Sequence, residues 1–157
     1  MGLPRAFVGF SSTDIHYYRL MQAWKANKNI DFNFASCQLQ SEVNSEDEAY
    51  IKRKCRERIN LAGKYLLLIG QDTRSKHKYV RWEAEVAIEK DCTIIGINLD
   101  GSRSMVRETC PPIIRDIGAM FVPFSPEIIA YAIQNYEMHD DNDNYHYKDH
   151  VYKSLGY

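Results

Sequence analysis

No stretch of this 157-residue chain approaches the ~20 consecutive apolar residues that a membrane-spanning helix needs. A dominant charge is missing too. Twenty basic residues against 21 acidic ones leave a formal net charge of −1, with no general pull toward nucleic acid or an anionic lipid surface. Cysteine is sparse and scattered: Cys37, Cys55, Cys92 and Cys110 include no close pair, so neither a zinc site nor a disulfide framework is expected. Cys55 and Cys92 read instead as small buried hydrophobes in a reducing compartment. Met1-Gly2-Leu3-Pro4 runs into Arg5 without an apolar leader core, and Ala6 stands where a myristoylation signal needs Ser or Thr. The expectation is a cytoplasmic protein. Glycine-rich phosphate fingerprints are also lacking, since Gly9-Phe10-Ser11-Ser12 fits neither G-x-G-x-x-G nor G-x-x-x-x-G-K-[ST]. Receiver-type phosphotransfer needs paired acids after the first strand and an Asp after the third, where this chain has Gly70-Gln71-Asp72.

What remains is an ordinary globular composition, 45% apolar and 26% charged, in a length that suits one domain. Arg5 to Phe10 is a short β-rich run followed by Ser11-Ser12-Thr13-Asp14, a cluster of helix-capping residues. Tyr17, Leu20, Met21 and Trp24 then recur at helical spacing as an inward stripe. Ile30 to Ala35 alternates as a half-exposed strand near a sheet edge. After the polar loop 36–44, Ser45-x-x-Glu48 signs a capping box, and Ile51, Cys55, Ile59 and Ala62 form the inward face of the next helix, stopped by Gly63. Tyr65 to Gly70 and Cys92 to Ile97 are continuous apolar runs, as central parallel strands require. Ala119 to Val122 is a fifth strand, and Ser125-Pro126 opens a last helix. Strands alternating with helices predict an α/β, flavodoxin-like fold: five mostly parallel strands with helices on both faces. Ligands in such sheets bind beyond the carboxyl ends of the strands, where the loops 11–14, 36–44 and 71–78 converge.

One acidic residue breaks its pattern. In the helix around Lys78 to Glu89, Val80, Ala84, Ala87 and Ile88 share an inward arc while Glu85 and Glu89 project to water. Glu83 falls inside the apolar arc, roughly 40° from Tyr79 and from Ala87. An uncompensated charge there is too costly, so the carboxylate must pair, neutralise or do chemistry. A structural reading pairs it with Lys76, Lys78 or a backbone amide near the helix start, which favours a carboxylate by about 0.3–1 kcal/mol. A functional reading makes it a catalytic carboxylate at the ligand rim.

Two further segments read as solvated surface. His139 to His146 is acidic, but a calcium loop counted from Asp140 would place Tyr145 where glycine is required and Val151 where glutamate is required. An acidic, partly helical or disordered tail over residues 137–157 is expected, following a domain over 1–136. The basic helix from Lys52 to Arg58 interleaves Glu57 and lacks an aromatic platform for RNA.

Taken in order, these boxes resemble a TIR domain. Phe7-Val8-Gly9-Phe10-Ser11 resembles the first-strand box, with Gly9 where Ser is frequent. Tyr79-Val80-Arg81-Trp82-Glu83 resembles the W-C/V-x-x-E box, with Tyr79 in place of Trp and Glu83 at the family's catalytic glutamate. Glu89 to Ile97 is similar to the corresponding segment of the TIR-like ThsB proteins of bacterial Thoeris antiphage systems, and the resemblance covers residues 5 to about 135. It implies an NAD-cleaving enzyme with Glu83 as catalytic carboxylate, making a cyclic or otherwise ADP-ribose-derived signal for a partner effector. It implies NAD as substrate with no resident cofactor or metal, self-association through TIR surfaces, and a phage-derived trigger. Phe10 or Tyr79 would stack on nicotinamide or adenine, while Ser11, Ser12 and Asp14 would bind ribose or phosphate. The alternative is a non-catalytic TIR-type module that pairs with other proteins, in which Glu83 is structural.

Overall fold

A computed structural model describes residues 3–27, 30–36, 48–59, 63–76 and 78–157. Strands β1 (Ala6–Gly9), β2 (Phe34–Ser36), β3 (Lys64–Ile69), β4 (Thr93–Asn98), β5 (Met120–Pro123) and β6 (Tyr145–His146) form a single sheet ordered β2-β1-β3-β4-β5-β6. Every pairing is parallel. Helices α1 (Ile15–Asn27), α2 (Glu48–Ile59), α3 (Thr73–Lys76), α4 (Lys78–Glu89), α5 (Pro126–Asn135) and α6 (Asp149–Ser154) complete the fold. The expected α/β flavodoxin-like arrangement is present, with the second strand at the edge.

The continuous apolar runs serve two cores at once, because successive strand residues point to opposite faces. Phe7, Tyr65, Leu67, Ile69, Ile94 and Phe121 meet α2 and α4 on one face. Val8, Leu66, Leu68, Ile95, Ile97 and Val122 meet α1 and α5 on the other. Burying a Leu or Ile side chain fully stabilises by about 1.5–3 kcal/mol, so the doubly covered centre dominates the stability. Helix α1 turns differently from expectation: Tyr18 and Met21 are buried, while Leu20 is 48% exposed. Ile88 also lies outward, because it ends α4 beside an open cavity.

The loop 37–47, with its capping Ser45, and Ala62 lie outside the described residues. Beyond residue 136 the acidic tail is partly helical and also adds an unexpected strand. Tyr145 and His146 pair with Met120 and Phe121 as a sixth strand, and α6 packs back with Tyr152 1% exposed. The acidity is absorbed locally. Asp141 accepts from the Tyr145 hydroxyl and from Asp143 N, and Asn144 donates to Asp116 at 2.7 Å. The Arg103 guanidinium lies 4.1 Å from the centre of the Tyr152 ring, sealing α6 by a cation–π contact.

Candidate functional site

Strand β1 has β2 on one side and β3 on the other, so the connections leaving β1 and β3 turn in opposite directions. This order opens a crevice beyond the carboxyl ends of β1 and β3, the place where open parallel sheets hold ligands. Gly9 ends β1 and Gly70 follows β3. Each glycine leaves room for a carboxylate brought in by a neighbouring element.

At Gly9 the incoming group is Glu83. A Cβ on Gly9 would stand 2.9 Å from Glu83 Oε2 and 2.3 Å from the Tyr65 hydroxyl oxygen, so any side chain there would collide with both. Glu83 is 4% exposed and shares α4 with buried Val80, Trp82, Ala84, Val86 and Ala87. The pattern break in the sequence thus corresponds to a carboxylate enclosed between β1, β3 and α2. From α2, Cys55 feels it: burial pushes that thiol well above its usual range, and the Glu83 charge adds to the push. The side chains of Lys76 and Lys78, the partners on the structural reading, fall outside the described residues.

The basic face of α2 holds α4 in place and is not simply solvated. Lys52 pairs with Glu85, which also accepts from Arg81 at 3.0 Å. Arg56 grips Glu89 through two bonds, Nε at 2.6 Å and a terminal nitrogen at 3.0 Å. Glu85 and Glu89, expected to project freely into water, are therefore the acidic half of an interhelical seam. Lys52 holds the Glu85 carboxyl below the usual range, and Arg56 does the same for Glu89.

At Gly70 the incoming group is Asp14, 9% exposed, from the 3-10 turn Ser12–Asp14 that follows β1. Ser11 caps this turn, accepting from Thr13 N at 3.4 Å. Thr13 in turn donates to the Asp72 carboxylate at 2.9 Å, tying the turn to the loop after β3. Gly70 N donates to Thr73 Oγ1 at 2.8 Å, closing that loop. Ser12 is exposed. Phe10 is 5% exposed and stacks on Tyr18 with ring centres 5.0 Å apart, which anchors the turn to the α1 core. Tyr79 is half-buried and meets Trp82 edge-on at 5.4 Å.

Asp14, Tyr17, Ile69, Gly70, Gln71, Leu99, Asp100 and Thr109 enclose a cavity of about 220 Å³ at this rim. That is below the roughly 300–1,000 Å³ of most small-molecule sites, so these walls suit one sugar or base rather than a whole dinucleotide. Two carboxylates facing it repel phosphate and accept hydrogen bonds from hydroxyls, while Gln71 offers an amide. Glu83 is not among its walls. The sequence residues thus divide: Ser11 and Asp14 gather at the β3 end, and Glu83 lies under the β1 end. Asp100 and Thr109 escaped sequence reasoning, and Gln71 and the two glycines were legible only as a rim loop and strand ends. Glycine directly at the end of a buried parallel strand, seen twice, is the signal that marks them.

Among the described residues, no group of three or more His, Cys, Asp or Glu is placed to hold a metal ion, and no helix is long and apolar enough to cross a membrane. The family model described as "Thoeris protein ThsB, TIR-like domain" matches residues 7–104, which include Phe10 to Asp14, Tyr79 and Glu83. No curated protein matches the chain significantly.

Proposed function

We propose, from the premise that this chain belongs to the TIR-like family of Thoeris ThsB proteins and so to antiphage defence, that it cleaves NAD at the nicotinamide–ribose bond. The observation that carries the reading is the enclosed Glu83 carboxylate over Gly9, at the crevice between β1 and β3.

The chemistry asks little of the protein beyond one well-placed negative charge. When the C1′–N bond breaks, its electron pair leaves with the ring nitrogen of nicotinamide, converting a cationic pyridinium into a neutral pyridine. No general acid is needed. The ribose becomes oxocarbenium-like, and an ionised Glu83 steadies that charge in a low-dielectric site, as carboxylates do in glycoside hydrolysis. Removing one such group typically costs about 10²–10³ in rate. Attack on C1′ by a nucleophile within the same molecule forms the new bond, closes a ring and releases the attacker's proton. An ADP-ribose-derived, cyclic product needs no second protein carboxylate, whereas hydrolysis would use water. Asp14, with Asp100 and Gln71, suits the recognition of ribose hydroxyls or a base. Exposed Ser12 supplies a polar group at the same turn and Tyr79 an aromatic face, while buried Ser11 and Phe10, stacked on Tyr18, hold the turn in place. The product would act on a partner effector in the defence system, after a phage-derived trigger and self-association of the chain in the cytoplasm.

The second reading, a TIR-type module that only pairs with other proteins, is favoured by one observation: Glu83 does not line the 220 Å³ cavity. Mass spectrometry of the nucleotides formed when the assembled, triggered protein meets NAD separates the two. The enzymatic reading expects nicotinamide plus an ADP-ribose-derived species. Unchanged NAD from a chain shown to be assembled and triggered would leave the interaction module.

A further inference from the structure

Tyr65 is the second residue of β3, a strand buried along its whole length, and has no measurable exposure. A phenylalanine would fill that apolar volume without burying a hydroxyl, and a buried hydroxyl costs free energy unless something uses it. Its oxygen stays buried. It runs under β1 to the open face of Gly9, 2.3 Å from where a Cβ would stand. The other atom at that point is Glu83 Oε2, at 2.9 Å. Glycine at the end of β1 thus admits a phenol from β3 and a carboxylate from α4 to one small space. An ionised carboxylate only accepts hydrogen bonds, and a neutral phenol has one to give.

We infer that Tyr65 is a positioning residue for Glu83: its hydroxyl, packed with Glu83 Oε2 into the space over Gly9, fixes where the carboxylate sits. The inference rests on the enzymatic reading of Glu83 and adds to it the residue that sets the carboxylate's direction. Tyr65 touches no substrate; it acts through Glu83. Gly9 is the third member of the arrangement, because any side chain there would displace the hydroxyl.

Two measurements on the full chain, assembled and triggered, test this. Steady-state NAD turnover of Tyr65→Phe should show kcat lower by about 10–100-fold with KM within about twofold, because the misdirected charge matters in the transition state and not in substrate binding. Thermal denaturation should show Gly9→Ser melting below wild type, with part of that loss recovered in the Gly9→Ser, Tyr65→Phe double variant, since one of the two colliding oxygens is gone. A Tyr65→Phe enzyme with wild-type kcat overturns the inference, as does a Gly9→Ser loss that ignores residue 65. The underlying reading fails differently. There the wild type itself releases no nicotinamide, whereas an active wild type with a dead Glu83→Gln and an unaffected Tyr65→Phe removes only the role of Tyr65.

Discussion

The carboxylate of Asp14 occupies the space that a side chain on Gly70 would need: a Cβ there would stand 2.4 Å from Asp14 Oδ2 and 2.9 Å from Oδ1. The turn after β1 thereby lays an acid across the end of β3, beside the 220 Å³ cavity. Gly70→Ala forces one of the two aside. The expected cost is about 1–3 kcal/mol, the usual range for overpacking, read from urea denaturation. Adding Asp14→Ala should recover most of it. Losses that simply add would show that the two residues do not compete for the same space.

The interhelical seam makes stability depend on acid. Glu85 is held low chiefly by its bond from Lys52, and Glu89 by its bond from Arg56. Asp116 is held low chiefly by Asn144, with the Arg107 charge helping. For carboxyls depressed on folding, the unfolded chain binds protons first as pH falls. Their contribution is therefore complete above about pH 5 and is lost as pH drops through the folded-state values, below the unfolded reference of about 3.9–4.3. Urea midpoints measured from about pH 6 to pH 3 should fall, and Glu85→Gln should flatten that fall while lowering the neutral-pH midpoint. A midpoint that rises on acidification contradicts the seam.

The segment beyond residue 136 docks on the core, chiefly through Tyr152. Tyr136 donates to Gly118 O at 2.5 Å, and Tyr152 is 1% exposed under Arg103. Tyr152→Ala should cost about 3–5 kcal/mol, as for other large aromatic truncations. Circular dichroism melting is sufficient to read it. A variant melting with wild type would mean that α6 is not docked.

Much of this could be read beforehand, and the misses share a cause. Runs such as Leu66-Leu67-Leu68 and Ile94-Ile95 announce buried parallel strands because both of their faces are covered. Glu83 was legible because helical periodicity is local, so a carboxylate on the apolar arc stands out. Leu20 misled, since Tyr17, Leu20, Met21 and Trp24 fit one stripe while the packed helix turns to bury Tyr18. Strand β6 has two residues, too few for any period to show, and it depends on β5 to exist. The seam joining Lys52 and Arg56 to Glu85 and Glu89 is tertiary, invisible until α2 lies beside α4. The same holds for the glycines. Gly9 and Gly70 could be read as strand ends, but not as the partners of Glu83 and Asp14.

If the cavity holds the sugar or base of NAD, Asp14 contributes to binding in ground and transition states alike. Asp14→Asn keeps the shape and removes the charge. Its KM for NAD should rise about tenfold with kcat held within about twofold, the signature of lost uniform binding. A drop in kcat at unchanged KM would move Asp14 into the chemistry instead.

The central claim is that the enclosed Glu83 carboxylate carries the cleavage. Nicotinamide release from NAD by assembled, triggered wild type and Glu83→Gln protein, matched for melting temperature, tests it most directly. Release should fall by at least about 10²-fold in Glu83→Gln. Equal release from the two proteins contradicts it.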